Sequence, residues 1–561
     1  MLIWTGLRRV ISAIQRLFNS ASFSAPLTHS LVLERGTGSP AFTRASTATF
    51  RDWEGVLRTV PSGCARFEGA RMVRNVMRKS EDFSGAEFTK TNCTVAKNLE
   101  GPDGVANSAC TVTATGASAL LYDTQGITPA SCTKAITSVY LKRITGTGTV
   151  RISANGANTN VTVALTTSWQ RFEASATTLV SGTFPAILIA TSGDLIGVAF
   201  WQEEDVTGQA DQTASEYVSV GVLSAPYHGA GVDGVEFFNT DRDGAAIPAA
   251  TNTGYLAEGA RTQILATADI RDMTTAAWIL GATMTRARTS IGADGAANSA
   301  TRLTGGAVAA TNTCYTTITA AASSRTYSAL VKRVTGTGPV RIVQTGTEID
   351  ISSLINSSTY TLVELNASIL NAVMGFKIDT NGDAIDVDFN QFEAGAFASS
   401  RIAAAVTRAA DVLTYSSAGN VSAAAGWVYV EATVPINNGA PQIQIDDGSN
   451  NNRILIDDGN SVNGGTRFFI QSGGGVEALI NDFSSSANTF QKRCVTWATN
   501  YAQSSQGGLL SAADTSVTPP VSITQIGIGG ANGVAVAPCT IRNVRIGQRQ
   551  LSASEMQAVT A

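Results

Sequence analysis

The chain contains one long segment twice. YLKRITGTGTVRI at 140–152 and LVKRVTGTGPVRI at 330–342 share nine of thirteen residues. Further pairs follow in the same order: EGAR (68–71 and 258–261), GPDGVANSAC (101–110) with GADGAANSAT (292–301), and WQEE (201–204) with NQFE (390–393). The offsets between paired anchors run only from 189 to 191 residues. Because solenoid repeats are roughly 20–50 residues long, this much longer period predicts that each copy is a whole domain.

From Leu31 onward the sequence forms short stretches of alternating polarity. VTVALTT, YVEATVPI and TRFFIQS are examples, and Gly, Asn and Asp mark the turns between such stretches. Alternation with a period of two predicts strands with one face inward and one outward. In both copies a TGTG turn joins two such strands, which favours a two-sheet jelly roll. We therefore predict an all-β protein built from tandem β-sandwich jelly rolls and a further C-terminal β-sandwich.

Composition makes several classes of function improbable. The formal net charge is −4 over 561 residues, so the chain lacks the basic field that phosphate contacts need, and we expect no nucleic-acid partner. Its sequence has no run of about 18 apolar residues, so we expect no membrane insertion. Seven cysteines occur without a C-x-x-C pair, which predicts buried thiols rather than a disulfide framework.

An amphipathic stripe near the start predicts a short helix. Its apolar members are Leu7, Val10, Ile11, Ile14, Leu17 and Phe18. A helix of about a dozen residues is unstable alone in water, so the stripe needs a partner. That partner is a second copy of the chain, a socket on another protein, or, as the alternative, the chain's own first β-domain. We assign these six residues to assembly or docking.

Several motifs resemble those of tailed-bacteriophage fibre and receptor-binding proteins. They are FTRASTATFRDWEGVLRTV (42–60), EGAR, VMRKSEDFSGAEFTK (76–90), GPDG, TSWQRFE (167–173) and a W-Q-x-E strand. The resemblance covers residues 40–415 and implies carbohydrate-binding-module-like jelly rolls. The family usually reads E-x-A-R-T-N-L, whereas this chain has Arg71-Met72-Val73 in the first copy and Arg261-Thr262-Gln263 in the second. VRIGQRQLSASEMQ (544–557) resembles the closing strand and helix of concanavalin A-like (laminin-G-type) lectin sandwiches, over about 415–561.

Together these patterns predict five regions. They are an N-terminal helical anchor (1–25), an extended or β lead-in (26–65), a first jelly-roll module (66–228), a second jelly-roll module (229–405) and a concanavalin A-like lectin domain (406–561). The resemblance implies a homotrimeric fibre located in the virion of a tailed phage. Its N-terminus would contact other tail or capsid proteins, and the fibre would attach to host-surface polysaccharide without catalysis. The alternatives are a head fibre or decoration protein and a glycan-depolymerising tailspike.

Few residues suggest catalysis, and we predict no catalytic residue and no cofactor. His29 and His228 are the only histidines, which argues against zinc and Ser-His-Asp hydrolases. Glu203 and Glu204 are the densest carboxylates, with Glu393 at the matching position of the second copy. Neighbours on a strand point to opposite faces, so Glu203 and Glu204 cannot share a cleft, and we favour a structural role.

Two further sets of residues are weak candidates for binding. Asp446-Asp447-Gly448 and Asp457-Asp458-Gly459 resemble calcium loops only in their oxygen ligands, and hairpin turns are the favoured role. We therefore predict no metal site, with these four aspartates as the residues to check. Trp201 is replaced by Asn390 in the second copy, so no core requires a ring at that position of both modules. This makes Trp201 our candidate for a glycan-binding surface role.

Overall fold

The computed structural model describes residues 14–124, 132–156, 160–177, 184–434, 439–459, 465–484, 486–532 and 534–561. The chain divides into two compact units. The small unit comprises Arg71–Ala245 and Ile291–Ser299. The large unit comprises the described residues through Ala70, then Ala246–Ser290 and Ala300–Ala561. None of the described helices is long and apolar enough to cross a membrane.

The small unit is a sandwich of two five-stranded antiparallel sheets. The first sheet has the order Val161–Val163, Val150–Ser153, Ala186–Ile189, Ala119–Asp123, Phe88–Thr91. The second has the order Gln170–Ala176, Ala135–Thr145, Leu195–Asp205, Ala109–Ala114, Cys93–Leu99. Side chains from both sheets, such as Leu121 and Val139, meet in one buried core because each strand turns alternate residues inward. A two-stranded ladder pairs Arg71–Arg74 with Val235–Phe238.

The second module, in the large unit, repeats this order strand for strand. One sheet runs Ile279–Leu280, Thr313–Ile318, Ala372–Ile378, Val340–Gln344, Thr347–Asp350. The other runs Thr285–Ser290, Ala300–Thr304, Ala384–Ala394, Ser323–Thr335, Thr361–Ile369. Register shifts fall at equivalent places, between Ser138 and Tyr140 in the first module and between Ser328 and Leu330 in the second. The tandem β-sandwiches expected from the repeat are confirmed.

A third sandwich occupies the C-terminal region of the large unit. Its seven-stranded sheet runs Ala41–Thr43, Val412–Ser416, Gln525–Ile528, Pro441–Asp446, Arg453–Asp457, Gly465–Ser472, Gly475–Ser484. Its eight-stranded sheet runs Leu509–Leu510, Tyr501–Gln506, Gln491–Ala498, Ala425–Thr433, Cys539–Gly547, Gly254–Ala257, Phe67–Glu68, with Phe23–Ala25 also paired to Cys539–Gly547. Four strands from early in the chain therefore complete a sandwich whose other strands follow residue 411. Local sequence patterns cannot predict pairing between strands that are so far apart in the chain.

Short elements complete the large unit. Hairpin strands Ala48–Arg51 and Leu57–Val60 pair with each other, as do Arg261–Thr262 and Thr407–Arg408. Helical residues are few: 14–19, Thr267–Arg271, the 3-10 turn Ala309–Thr311 and Ala553–Thr560. Ser552 accepts the backbone N–H of Glu555, whose side chain accepts the Ser552 N–H in return, and this capping box starts the last helix.

Candidate functional site

The repeated TGTG turn is held by an ion pair. Arg143 binds Asp194 at 2.8 Å and donates to the Gly148 carbonyl at 2.7 Å, so one guanidinium ties the turn to the next strand. Gly146 has φ +87°, and a Cβ there would lie 1.9 Å from an Asp194 carboxylate oxygen. The turn therefore requires glycine twice over, for its backbone angle and for its closeness to the carboxylate. In the second module Arg333 and Asp383 occupy the same positions.

The W-Q-x-E strand and its counterpart anchor the segment that leaves each module. In the first module Gln202 donates to Glu204 at 2.8 Å and accepts the Val218 N–H at 2.7 Å. In the second, Gln391 donates to Glu393 at 2.8 Å and accepts the Ile402 N–H at 2.8 Å. Both glutamates are buried and also accept N–H groups from the departing segment, Ser215 at 2.9 Å and Ser399 at 2.7 Å. This geometry fits the structural role favoured for Glu204 and Glu393.

Glu203 points the other way, into the first module. Its side chain has no exposed area, and neither carboxyl oxygen has a hydrogen-bond partner among the described residues. Burial raises the pKa of this carboxyl well above its usual range, so the fold disfavours its charged form. A carboxyl without solvent contact is not positioned to meet a polymeric substrate.

The surface role predicted for Trp201 is wrong. Trp201 has no exposed area and lies among Phe83 and Phe88 in the core of the small unit. Its indole Nε1 donates to Thr137 Oγ1 at 2.9 Å. In the second module Asn390 replaces the tryptophan, but the hydroxyl of Tyr327, which replaces Thr137, donates to Asn390 Oδ1 at 2.8 Å. The ring has moved to the adjacent strand, so both cores do contain an aromatic residue at this level.

The N-terminal stripe is partly covered by the chain itself. Leu17 is buried and packs with Trp427 and Met556 of the C-terminal sandwich, and Ile14 lies against the same cluster. The Phe18 ring lies 5.0 Å from that of Tyr429. The intramolecular alternative therefore holds for these three residues, although they contact the third sandwich rather than the first β-domain. Leu7, Val10 and Ile11 lie outside the described residues, and the assembly or docking role stays a prediction.

The four aspartates of the Asp-Asp-Gly pairs all have protein partners. These partners are the Gly448 N–H for Asp446, Ser449 for Asp447, Arg467 for Asp457 and Arg493 for Asp458. Gly448 and Gly459 have φ of +87° and +68°, as hairpin turn residues do. Among the described residues, no group of three or more His, Cys, Asp or Glu side chains could hold a metal ion.

A cleft of about 280 Å³ opens within the large unit. Its walls include the apolar side chains Leu57, Leu330, Leu362, Val434 and Pro538. Its polar lining includes Arg51, Glu68, Glu258, Arg401, Thr433 and Asn488. These residues come from the early hairpin, both EGAR motifs, the second module and the C-terminal sandwich. We call this site the Arg51 cleft.

Arg51 is the least satisfied cation of the cleft. One guanidinium nitrogen, Nη1, donates to the Tyr360 carbonyl at 2.8 Å, and the Arg51 backbone N–H donates to Glu68 Oε2 at 3.2 Å. The other nitrogen, Nη2, is buried without a hydrogen-bond partner in the described part of the chain. The hydroxyl of Thr433, which also lines the cleft, is likewise buried without a partner in that part of the chain. Buried polar atoms normally have partners, so these two mark a place for further hydrogen-bonding atoms.

The two EGAR glutamates face different surroundings. Glu258 accepts Arg66 at 2.6 Å and both the N–H and the hydroxyl of Ser400, at 2.8 and 2.5 Å. Burial opposes its ionisation, but the guanidiniums of Arg408 and Arg66 outweigh burial and hold the pKa of Glu258 well below its usual range. Glu68 has no such direct ion pair, and burial raises its pKa from 4.5 to about 7. One copy of the motif is a fixed anion, and the other can carry a proton near neutral pH.

Behind the cleft, the anion Glu258 belongs to a buried charge network. Arg66 bridges Glu258 and Asp411, each at 2.6 Å, and Arg44 binds the second oxygen of Asp411 at 2.9 Å. All these side chains are at most 3% exposed. The network joins the lead-in, the second module opening and the residues that precede the third sandwich. It makes Glu258 a structural member of the wall.

Sequence reasoning missed the cleft but had two signals for it. EGAR marks the repeat and belongs to the phage-fibre resemblance, and its two glutamates line this site; Arg51 lies in the opening pattern of the same resemblance. Sequence reasoning also missed Asn75, which donates to the Trp201 and Val218 carbonyls at 3.1 and 2.9 Å. Gln263 does the equivalent in the second module, donating to the Asn390 carbonyl at 3.0 Å. These residues supply the expected amide after EGAR, displaced by two residues in the first copy.

Comparisons with known proteins give no family. No family model and no curated protein matches the chain. Solved structures with partial similarity include domain 4 of a GH43 extracellular arabinanase from Geobacillus stearothermophilus in complex with arabinotriose (10% identity, 27% of this chain, 73% of that chain, TM-score 0.23). They also include the Ruminococcus gnavus IT-sialidase CBM40 bound to α2,3-sialyllactose (12%, 25%, 84%, 0.21) and the botulinum neurotoxin serotype D binding domain (15%, 27%, 40%, 0.21). At these TM-scores the similarities carry no argument.

Proposed function

We propose that this chain is a structural fibre protein of a tailed-phage virion that attaches to host-surface glycan without catalysis. The observation that carries glycan binding is the Arg51 cleft, whose lining combines apolar side chains with two buried polar groups that have no hydrogen-bond partner among the described residues. The phage assignment is supported by the motif resemblance across residues 40–415. In this reading the β-sandwich modules are a rigid support, and binding on a multivalent particle gains strength from several weak sites.

The cleft has the chemistry that a sugar needs. Leu57, Leu330 and Leu362 offer apolar surface to the carbon face of a ring, while the Arg51 guanidinium, the Thr433 hydroxyl and the Asn488 amide offer hydrogen bonds to its oxygens. Its volume is just below the roughly 300–1,000 Å³ of drug-sized ligand sites, so the cleft suits a short saccharide end.

The carboxylates support binding rather than hydrolysis. A glycosidase needs two carboxyl groups that can both reach the bond to be broken. Glu68 and Glu258 both line the cleft, but the oxygens of Glu258 are already occupied by Arg66 and Ser400. This leaves one accessible acid, Glu68, and no free partner within the lining.

The first experiment is a glycan array probed with the full chain, followed by chromatography of each bound glycan after overnight incubation. We expect retention of intact glycan, and we expect the soluble chain to compete with phage adsorption to the host. Shortened glycan that persists with the wild type and disappears with Glu68→Gln would support the tailspike alternative instead. Absence of any glycan ligand together with undiminished adsorption would overturn glycan attachment and favour a decoration protein.

Assembly is tested separately by light scattering of the full chain. We expect a mass three times that of the 58.1-kDa protomer. Substituting Leu7, Val10 and Ile11 together by Asn tests the stripe without removing the packed residues Leu17 and Phe18. Loss of the trimer would assign assembly to the stripe, and a persistent trimer would assign assembly to the β-modules and docking to the stripe. A monomeric wild-type chain would overturn the fibre reading.

A further inference from the structure

We propose that the Arg51 cleft selects acidic saccharides and that Arg51 binds the carboxylate of the sugar. This inference rests on the proposed glycan-binding function and adds the chemical class of the ligand. It follows from the unpartnered guanidinium nitrogen, the charges that line the cleft, and the position of Glu68.

The guanidinium of Arg51 has one nitrogen, Nη2, that can still donate a hydrogen bond. Arg51 Nη2 is a buried donor on a cation with no acceptor among the described residues, while Nη1 and the backbone N–H are already used. An unmatched donor of this kind is costly, and a charged acceptor restores the lost interaction better than a neutral one. A carboxylate suits the flat guanidinium and can accept from Nη2.

The charged side chains of the cleft leave Arg51 as the cation that can bind a ligand. Two arginines and two glutamates line the cleft: Arg51, Arg401, Glu68 and Glu258. Arg401 already has protein partners, because it donates to Ser328 at 2.9 Å and to the Ser399 carbonyl at 2.6 Å. Glu258 is neutralised by Arg66 of the buried network. The open part of the cleft therefore contains one available cation, Arg51, beside a glutamate that accepts a proton near neutral pH.

Glu68 lies beside Arg51, and its protonation state affects the binding of an acidic ligand. In its protonated form Glu68 does not repel an incoming carboxylate and can donate a hydrogen bond to it, whereas ionised Glu68 opposes the ligand. The charged groups that face Glu68 are Arg51, Arg66 and Glu258. Of these, Arg66 and Glu258 bind each other, so Glu68 and Arg51 are the pair that responds to a ligand.

The test measures binding to the full chain by isothermal titration calorimetry. The probes are trigalacturonate, its fully methyl-esterified form, which has the same size without charge, and neutral maltotriose. We expect trigalacturonate to bind at least tenfold tighter than either neutral probe. Affinity for trigalacturonate should rise roughly tenfold from pH 8 to pH 6, as expected for a group that titrates near 7. Glu68→Gln should abolish that pH dependence while binding remains.

Substitutions locate the site. Arg51→Ala should reduce trigalacturonate affinity at least tenfold, and Thr433→Val, which keeps the shape of the side chain, should reduce it two- to fivefold. Arg288→Ala is the matched control, because Arg288 is an exposed arginine of the large unit that pairs with Asp272 outside the cleft. Near-ultraviolet circular dichroism checks folding, and if Arg51→Ala is misfolded, Thr433→Val and Glu68→Gln carry the test.

The outcomes separate this inference from the proposed function. Equal affinity for trigalacturonate and its ester, or acid binding unchanged by Arg51→Ala and Thr433→Val, overturns the inference and leaves glycan attachment intact. Failure of all probes while the array identifies a neutral ligand also overturns it. Failure of every glycan on the array overturns the proposed function itself.

Discussion

The two copies of the module keep the same strand order but use different side chains at their centres. In the first module Trp201 donates to Thr137, and in the second the Tyr327 hydroxyl donates to Asn390. The aromatic ring and the small polar partner have exchanged strands, while the hydrogen bond between the strands is retained. In these two cores the contacting residues therefore differ together. One aromatic ring must fill the space, and one polar side chain must form a hydrogen bond with the ring's polar atom.

Outside the cores, the copies conserve side chains that hold the backbone. Gln202 and Gln391 make the same pair of contacts, as do the arginines of the TGTG turns. A substitution at such a position leaves several backbone groups without hydrogen-bond partners. A second substitution on a neighbouring strand cannot replace all of these bonds. The residues that are identical in the two copies therefore include those that hold the backbone. The residues that differ between the copies include core residues.

The EGAR glutamates offer the sharpest test of how surroundings decide the role of one motif. Glu258→Gln should destabilise the large unit by about 3–5 kcal/mol, because it leaves the buried Arg66 short of one counter-charge. Glu68→Gln should instead stabilise the chain at pH 8, on the order of 1–3 kcal/mol, because it removes a carboxyl that resists ionisation where it lies. Differential scanning calorimetry of the full chain measures both effects.

The pH dependence of these two variants has opposite sign. The folded pKa of Glu68 is about 7 against an ordinary 4.5, so its native proton makes stability fall as pH rises through that window, and the gain from Glu68→Gln should grow from pH 5 to pH 8. The depressed pKa of Glu258 makes its contribution present above its ordinary pKa and lost in acid. Parallel pH profiles for the two variants would contradict the assigned surroundings.

Exchanging the core pair tests whether the two modules are equivalent solutions. Trp201→Asn alone should destabilise the small unit by about 3–5 kcal/mol, since it removes a fully buried ring. Adding Thr137→Tyr recreates the pair of the second module and should recover at least half of that loss. The readout is the calorimetric transition of the small unit in the full chain, with Thr137→Tyr alone as the control for overpacking. No recovery in the double variant would mean that the modules differ beyond this pair.

Glu203 tests the next inward-facing position along the same strand, two residues after Trp201, where the second module has Phe392. Burial raises the pKa of Glu203, so the native state keeps a proton that the unfolded chain releases above its ordinary pKa, and stability should decline as pH rises. Glu203→Gln should therefore stabilise the small unit by about 1–3 kcal/mol at pH 8 and by less at pH 5. The mirror variant Phe392→Glu should destabilise the large unit most at pH 8. Both effects are followed by thermal unfolding across that range, and a benefit of Glu203→Gln that does not depend on pH would show that ionisation is not its cause.

Much of the fold could be predicted from the sequence because the repeat and the alternation are local patterns. The tandem sandwiches follow from them. Strand Phe23–Ala25 could not be assigned to the third sandwich, because its partner, Cys539–Gly547, lies near the other end of the chain. Phe67–Glu68 could not be assigned either, because it joins that sheet only through Gly254–Ala257. Trp201 was misjudged for a related reason, since the ring that replaces it lies on a different strand.

The candidate site was less predictable than the fold. Arg51 and Thr433 are far apart in sequence, and nothing local to either indicates an unpartnered buried atom. The role of Glu68 depends on which of the two glutamates Arg66 binds, and Arg66 binds Glu258. The spacing within EGAR does not encode that choice. Motifs could nominate the glutamates, but only packing distinguishes the fixed anion from the titrating acid.

The smallest expected difference between the modules lies in their TGTG turns. Arg143 binds Asp194 at 2.8 Å, whereas Arg333 is 3.5 Å from Asp383, which also accepts the Gly338 N–H at 2.7 Å. Arg143→Ala should therefore cost about 1–2 kcal/mol in the small unit, and Arg333→Ala should cost less, because the Gly338 hydrogen bond still holds the second turn. Thermal unfolding of the two single variants at one pH gives the comparison. An equal or larger loss with Arg333→Ala would mean that the two turns depend on their arginines in the same way, despite the backbone bond that supports the second.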